Sequence, residues 1–351
     1  MNSDWQAFLL ERGAVLQDGV AQRFNPLAQE LLATQNGSVL CDLSQFGTLR
    51  VSGVDAESFL QNLLSNDIRE VSAMHAQFSS FNSAKGRILV TMLIWRDGED
   101  YLLQLPHPLT ESIRKKLSMF VLRAKVKITD ASNEVIPLGL SGTSAQEVLR
   151  EQFGELPQQL LSLTRTELGS MMKIDDTRMQ ITTTAQHAPS LWEILSHHAQ
   201  PVGSGCWDWL NIRSGIPTIL PQTQEQFVAQ MVNFDLIGGV SFKKGCYPGQ
   251  EIVARMQYLG KLKRRMYLAH LGYQAHLVSS DIPQAGDELF STDMEGQASG
   301  MIVNASPAPS GGYDVLATVQ INSRESQVVH WKSLGGEALQ FMPLPYPLPD
   351  A

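Results

Sequence analysis

The chain has 351 residues, which exceeds the size at which a single hydrophobic core stops growing, so we expect two or three domains. Its composition, 43% hydrophobic and 18% charged, is that of an ordinary globular protein, and no apolar run approaches the length of a membrane span. The net charge of -8 argues against a general polyanion binder.

The N-terminus and the cysteines both favour a reducing cytoplasm. Residues 1–5 carry an early acid and lack the basic and apolar regions of a secretory signal. The cysteines are odd in number and far apart, which gives neither a disulfide framework nor a C-x-x-C metal pair. They are Cys41, Cys206 and Cys246.

Residues 47–129 alternate between strand and helix patterns. Gly53 is a turn signal, and Asp55 is placed to cap a helix whose apolar residues recur at helical spacing up to Leu64. The order is close to the split β-α-β unit of ferredoxin-like folds. The predicted elements are strands at 47–52, 76–82, 87–95, 101–105 and 125–129, and helices beginning at 55 and spanning 109–120.

A similar order recurs in residues 135–215, so two related α+β units are expected. Ser144 and Glu147 have the spacing of a capping box at the start of a helix. The predicted elements are strands at 135–140, 171–174 and 179–183, and helices at 144–153 and 190–198.

The remainder of the chain divides into a connector and a β-rich tail. Prolines and the Gly238-Gly239 pair indicate a connector over residues 217–242, and glycines punctuate short strand patterns after residue 265. Runs such as 301–303 and 313–321 suit a small antiparallel barrel or sandwich. The predicted domains are residues 1–130, 131–264 and 265–351.

A single cysteine between two glycines is the most informative feature of the chain. Residues 244–251 have the sequence KGCYPGQE. Glycines before and after a thiol permit turn conformations that a Cβ would forbid, so Cys246 is expected at the tip of a loop. The ordinary alternative is a buried cysteine that fills the core, but such a residue needs no flanking glycines.

Cations surround this cysteine. Lys243, Lys244 and Arg255 can favour the thiolate, the form that attacks electrophiles and binds metals. Between Lys243 and Arg265 there are seven cations and one acid, Glu251, which gives a local charge of 7 - 1 = +6. This segment is either a solvated strand or loop face, or a site for a polyglutamate tail, a phosphate or RNA.

Other motifs are weaker. Trp207 and Trp209 could hold a flat heterocycle, although core packing is the ordinary role of tryptophan. Lys85 lies in a predicted hairpin turn, where a solvated lysine is expected. The sequence contains no dinucleotide-binding, Walker A, zinc-protease or nucleophile-elbow motif, and no metal site is predicted.

The cysteine motif resembles the signature of the YgfZ family of folate-binding proteins. The resemblance covers KKGCYPGQEIVAR at residues 243–255 and extends through residues 233–242 and 260–265. Weaker similarity at Gly53-Val54-Asp55, at the Ala84-Lys85-Gly86 turn and at residues 343–346 brings nearly the whole chain into the comparison.

The resemblance implies an α+β fold like the T-protein of glycine cleavage. In that fold, three domains form a ring around a folate pocket: two ferredoxin-like-related units and a C-terminal antiparallel β-barrel. It further implies tetrahydrofolate or a derivative as cofactor, iron–sulfur proteins or carriers as partners, and a link through them to tRNA modification. No membrane partner is expected, and direct RNA contact is left open.

The family's folate-contacting aromatic positions correspond to Trp207 and to Phe46, which stands where a tryptophan is common. Arg213 stands where T-protein relatives carry a glutamate. Because guanidinium only donates hydrogen bonds, pterin recognition must change or move. The expected cofactor-binding residues are Phe46, Trp207, Arg213, Tyr247, Gln250 and Arg255, and the expected catalytic residues are Cys246, Lys244 and Glu251.

Three functions are consistent with these features. The preferred one is a folate-dependent accessory factor in which Cys246 acts as a thiolate toward a sulfur, iron or one-carbon centre. The enzyme alternative is an aminomethyltransferase that transfers a one-carbon unit to tetrahydrofolate. The third is a thiol-dependent binding module that docks RNA or an iron–sulfur carrier without folate.

Overall fold

The computed structural model of the protein describes residues 2–272 and 282–349. Residues 1, 273–281 and 350–351, which belong to the predicted first and third domains, lie outside the described residues. The α-helices are α1 (Ser3–Glu11), α2 (Leu27–Asn36), α3 (Ala56–Gln61), α4 (Thr110–Ser118), α5 (Ser144–Phe153), α6 (Ala188–Ser196), α7 (Ser204–Arg213), α8 (Gln250–Tyr258) and α9 (Ile321–Ser326).

The strands alternate with these helices in the first two thirds of the chain and dominate the last third. They are β1 (Val15–Gln17), β2 (Val20–Arg23), β3 (Val39–Asp42), β4 (Phe46–Ser52), β5 (Gln77–Asn82), β6 (Ile88–Asp97), β7 (Asp100–Pro106), β8 (Lys127–Asp130), β9 (Val135–Ser141), β10 (Leu163–Thr166), β11 (Gly169–Lys173), β12 (Arg178–Thr184), β13 (Gln200–Val202), β14 (Arg264–Leu271), β15 (Glu288–Phe290), β16 (Ala298–Pro307), β17 (Tyr313–Gln320), β18 (His330–Trp331) and β19 (Gln340–Met342).

The chain divides into two compact units. Unit 1 comprises Met1–Phe59, Arg69–Gln77 and Leu93–Trp207. Unit 2 comprises Leu60–Ile68, Phe78–Met92 and Asp208–Ala351. The three predicted domains and their arrangement in a ring stay a prediction.

Unit 1 is built on two larger sheets and the β1-β2 hairpin. One has the order β10-β11-β12-β9-β3-β13 and is antiparallel except where β13 runs parallel to β3. In the other, β4 lies between β7 and β8, and β7 pairs with β6 at Leu93–Asp97. The core against the first sheet contains Trp5, Trp192 and Ile181, which are all fully buried.

Unit 2 contains the C-terminal sheet, of order β18-β15-β16-β17-β14-β19, in which the described strands all pair antiparallel. Long central strands and short outer ones form a curled half-barrel, so the predicted antiparallel β tail is confirmed in this coarser form. Buried aliphatic side chains such as Leu268, Leu316 and Val303 pack with Phe234 of the connector. The connector holds two 3-10 turns, Pro221–Thr223 and Ala229–Val232.

Most elements predicted between residues 47 and 198 are present. The helix at 144–153 is confirmed at both ends, but the predicted cap is wrong: Thr143, not Ser144, is the N-cap residue, and its side chain makes no capping bond. Within the basic segment, a strand or loop face was expected, whereas residues 250–258 form α8.

Candidate functional site

Cys246 lies on an exposed loop of unit 2. The residue is outside any helix or strand and is exposed, whereas Cys41 and Cys206 are fully buried. All three are free thiols. Reagents and partners in solution therefore have direct access to one of the three sulfurs.

Lys244 anchors the N-terminal side of this loop. Its ammonium donates hydrogen bonds to the carbonyls of Gln61 at 2.6 Å, Leu64 at 2.5 Å and Asn66 at 3.0 Å. The side chain is buried, with 6% exposed, so the three acceptors offset the removal of its charge from water. The expected catalytic role of Lys244 stays a prediction, and the geometry gives the residue a structural role.

The segment that receives Lys244 is itself tied to the connector. Ser65 donates its hydroxyl to the carbonyl of Gly239 at 2.7 Å, and the Asn66 amide donates to Gly238 at 2.7 Å. The Ser241 N–H donates to the Ser65 carbonyl at 3.0 Å. These hydrogen bonds fix the residues that lead into the cysteine loop.

Gly249 anchors the C-terminal side. Its φ of +77° lies in the left-handed region, and it precedes α8 directly. A Cβ at this position would lie 2.4 Å from the Gly86 Cα and 2.6 Å from the Ser83 carbonyl oxygen. Glycine is therefore required for two reasons, and the loop meets the turn between β5 and β6 at backbone distance.

The other flanking glycine has no such constraint. A Cβ at Gly245 would meet nothing within 4 Å, and its φ is not among the positive values. The sequence predicted that the loop needs a glycine on each side of Cys246. The structure supports this requirement only at Gly249.

Tyr247 packs inward beside Cys246. The side chain is buried, and burial raises its pKa to about 12. The Lys244 ammonium lies 5.2 Å from the centroid of its ring, within the range of a cation–π contact. These contacts fix the loop on both sides of Cys246 and leave its thiol outward.

The predicted site residues of α8 lie on its first turns. The Gln250 N–H donates to the Tyr247 carbonyl at 3.1 Å, and the Gln250 side chain is half-buried. Glu251 and Arg255 are exposed, and neither has an ion pair among the described residues. Glu251 pairs with neither Lys244 nor Arg255, and its expected catalytic role stays a prediction.

The basic segment does not act as one patch. Lys244 binds carbonyls, Arg265 pairs with Asp235 at 2.8 Å, and Arg264 donates to the Ala298 carbonyl at 3.3 Å. Four cations remain exposed and have no ion pair within the described ranges. They are Lys243, Arg255, Lys261 and Lys263.

Arg213 lies beside a buried carboxylate. Its Nη1 is 3.6 Å from Oδ2 of Asp314, which also accepts a hydrogen bond from the Trp209 indole at 2.8 Å. Oδ1 of Asp314 is 2.8 Å from His270 Nδ1. Asp314 thus places a carboxylate next to the position where T-protein relatives carry a glutamate and this chain has Arg213. No local sequence pattern indicates that Asp314 lies there.

The two predicted aromatic contacts belong to unit 1. Trp207 is 2% exposed, and the Arg178 guanidinium lies 4.9 Å from its ring centroid. Phe46 is half-buried at the start of β4 and lines a cavity of about 10 Å³. That cavity has room for no more than a water molecule. A pterin contact at either residue stays a prediction.

Asp42 shares the small cavity with Phe46. Burial raises the pKa of its carboxyl, although the Trp5 indole donates to it at 2.8 Å and the Ser44 hydroxyl donates as well. The sequence prediction missed this carboxyl, although the apolar residues Leu40, Cys41 and Leu43 around it are a local signal of burial, and all three are fully buried.

Residues 2–272 and 282–349 contain no group of three or more His, Cys, Asp or Glu side chains placed to hold a metal ion. In the same part of the chain, no helix combines the length and apolarity needed to cross a bilayer. The predicted compartment stays a prediction.

Comparison with curated proteins connects the chain to two bacterial relatives over most of its length. The chain is 28% identical over 331 residues to the tRNA-modifying protein YgfZ of Enterobacter sp. (strain 638), which covers 93% of this chain and 99% of that protein. It is 28% identical over 313 residues to the protein of the same name from Escherichia fergusonii, covering 89% and 94%. The predicted likeness to the YgfZ family is confirmed.

The family model and a solved structure agree with the YgfZ relationship. Residues 6–171 match the model of the GCVT N-terminal domain. A crystal structure of the glycine cleavage system aminomethyltransferase T from Bartonella henselae has a TM-score of 0.74, 20% identity, and coverage of 98% of this chain and 97% of that one. The expectation of a T-protein-like fold with mixed helix and strand is therefore confirmed.

Proposed function

We propose that this protein is a folate-dependent accessory factor for iron–sulfur enzymes that support tRNA modification, with Cys246 as its reactive group. The observation that carries the proposal is the exposed thiol on a loop fixed at both ends by Lys244 and Gly249. The relatives of similar length are named tRNA-modifying proteins. An exposed thiol on a loop that is fixed at both ends is better placed to react with a partner than to fill the protein core.

A reduced folate, tetrahydrofolate or a derivative, is the proposed ligand. The GCVT match and the aminomethyltransferase-like fold support this choice. Tyr247, Gln250, Arg255 and Arg213 of unit 2 are the proposed contacts, and the pterin roles of Phe46 and Trp207 rest on the family resemblance alone. Exposed cations such as Lys243 and Arg255 can attract the carboxylates of a polyglutamate tail.

The chemistry is assigned to the thiolate of Cys246, acting on a sulfur, iron or one-carbon centre. Glu251 is exposed and without an ion pair among the described residues, so it is free to exchange protons with a bound partner. Lys244 acts by positioning, because its ammonium is already saturated by carbonyls. Iron–sulfur proteins or carriers are the proposed partners.

Complementation tests the role of Cys246. In cells that lack the chromosomal gene, we expect wild-type protein to restore the thiolated nucleosides of tRNA, measured by mass spectrometry, and Cys246→Ala to fail. Gly245→Ala is the matched control in the same loop, because its Cβ meets nothing within 4 Å. Full restoration by Cys246→Ala would contradict the proposal.

The aminomethyltransferase alternative has its own assay. With aminomethylated lipoyl carrier protein and tetrahydrofolate, we expect no methylenetetrahydrofolate above the level without protein. Rapid formation that depends on this protein would replace the accessory role by the alternative. The likeness to aminomethyltransferase T shows only the fold, so the assay is needed to decide between the accessory function and aminomethyl transfer.

A further inference from the structure

Unit 2 contains a groove distinct from the cysteine loop. Its volume is about 860 Å³, near the upper end of the range for ligand sites. One wall is the segment 260–263, which leads into β14. The lining also includes residues of the 3-10 turn Thr292–Met294 and the first residues of α9, where the Ile321 N–H donates to the Lys263 carbonyl at 2.9 Å.

The wall at 260–263 carries two unpaired cations. Lys261 and Lys263 both line the groove, are exposed, and have no ion pair among the described residues. They are two residues apart, which corresponds to about 6–7 Å along extended backbone. Two ammonium groups at this spacing on one side of an extended chain can each bind one of two consecutive anionic groups of a polymer.

The other two charged side chains of the groove, Asp293 and Arg265, already have partners. Asp293 accepts hydrogen bonds from Ser291 at 2.5 Å and Ser323 at 2.8 Å, which hold the pKa of its carboxyl below the usual range. Arg265 is bidentate to Asp235, at 2.8 and 3.1 Å. The cations left for an anionic ligand are therefore the two lysines, while the amides of Gln320 and Asn322 add neutral hydrogen-bonding groups and Asp293 keeps one negative charge in the lining.

Apolar and aromatic surface accompanies the cations. Leu262, Met294 and Ile321 line the groove. Two residues before its first lining residue, Gly260, stands Tyr258, which is 68% exposed and touches Phe242 in an edge contact at 6.1 Å between centroids. An exposed ring beside a cationic groove is the combination that binds single-stranded nucleic acid, because bases stack while phosphates meet cations.

We propose that this groove binds a single-stranded segment of RNA, with Lys261 and Lys263 on consecutive phosphates and Tyr258 stacked on a base. A polyglutamate chain would match the cations but has no flat group for the tyrosine. This surface goes beyond the proposed accessory function, since it places RNA directly on the protein.

Fluorescence anisotropy with a labelled 12-nucleotide single-stranded RNA of mixed sequence tests the proposal. We expect Lys261→Glu/Lys263→Glu to weaken binding at least tenfold at 100 mM salt. The slope of log K against log salt should fall by about 1.4, since each phosphate contact on a single strand contributes about 0.7. Tyr258→Ala should weaken binding at least fivefold.

The matched control is Lys125→Glu/Lys127→Glu. These two lysines are also exposed and two residues apart, give the same change in net charge, and do not line the groove. We expect their RNA affinity to stay within twofold of wild type, and thermal melts to show that both double variants are folded.

Three results would overturn the proposal: equal losses in the two double variants, no loss in either, or no RNA binding by the wild-type protein. In the last case a penta-γ-glutamate peptide, used as a second probe, would show whether the groove holds a folate tail. Tetrahydrofolate titration of the same variants separates this proposal from the accessory function, because either can fail while the other holds.

Discussion

At the scale of single residues, the structure separates two adjacent lysines by function. Lys244 is buried on three carbonyls, whereas Lys243 is exposed and has no ion pair or side-chain hydrogen bond among the described residues. The sequence argument grouped both as cations that act on Cys246. The sequence shows that both residues are charged, but it does not show that Lys244 binds residues 61–66, because those residues are far from it in the chain.

Lys244→Ala should lower the free energy of unfolding by about 2–4 kcal/mol, because three buried carbonyls lose a charged donor. Lys243→Ala, the control, should change it by less than about 0.5 kcal/mol, as expected for an exposed side chain. Urea denaturation of both variants measures the difference. Equal stabilities would show that the three hydrogen bonds do not hold the loop.

At the scale of elements, regular spacing of apolar residues in the sequence correctly predicts the strands and helices that pack against a core. The strands at 87–95 and 101–105 and the helix at 144–153 carry regular apolar patterns and are present as β6, β7 and α5. Helix α8, in which only Val253 is buried, was missed because the glycines before it and the cations around it indicated a loop or a strand. The cap at Thr143 was misplaced by one residue, the usual uncertainty at helix ends.

The junction between the cysteine loop and α8 depends on one glycine. Gly249→Ala should destabilise the protein by more than about 2 kcal/mol, since the new Cβ adds left-handed strain to a clash with the backbone of Gly86. Gly245→Ala should have an effect below about 0.5 kcal/mol. Thermal unfolding compares the two, and a harmless Gly249→Ala would mean that the loop does not rest on the turn at Gly86.

At the scale of the whole molecule, the sequence motif predicted the likeness to the YgfZ family, the fold class and the exposed cysteine, but not the contacts that support the cysteine loop. The contacts that define the site join Lys244 to residues 61–66 and Gly249 to Gly86, each more than 160 positions away. The carboxylate beside Arg213 comes from Asp314, about a hundred residues later. A single sequence has no local signal for such pairs, because only the folded chain brings them together.

The central claim is that Cys246 is a reactive thiol at a site that binds reduced folate. The most direct measurement is the rate at which iodoacetamide alkylates Cys246, followed by mass spectrometry over a range of tetrahydrofolate concentrations. We predict that Cys246 reacts before buried Cys41 and Cys206, and that tetrahydrofolate slows its alkylation in a saturable manner. A rate that is unchanged at saturating tetrahydrofolate, or a Cys246 no faster than the buried thiols, would contradict the claim.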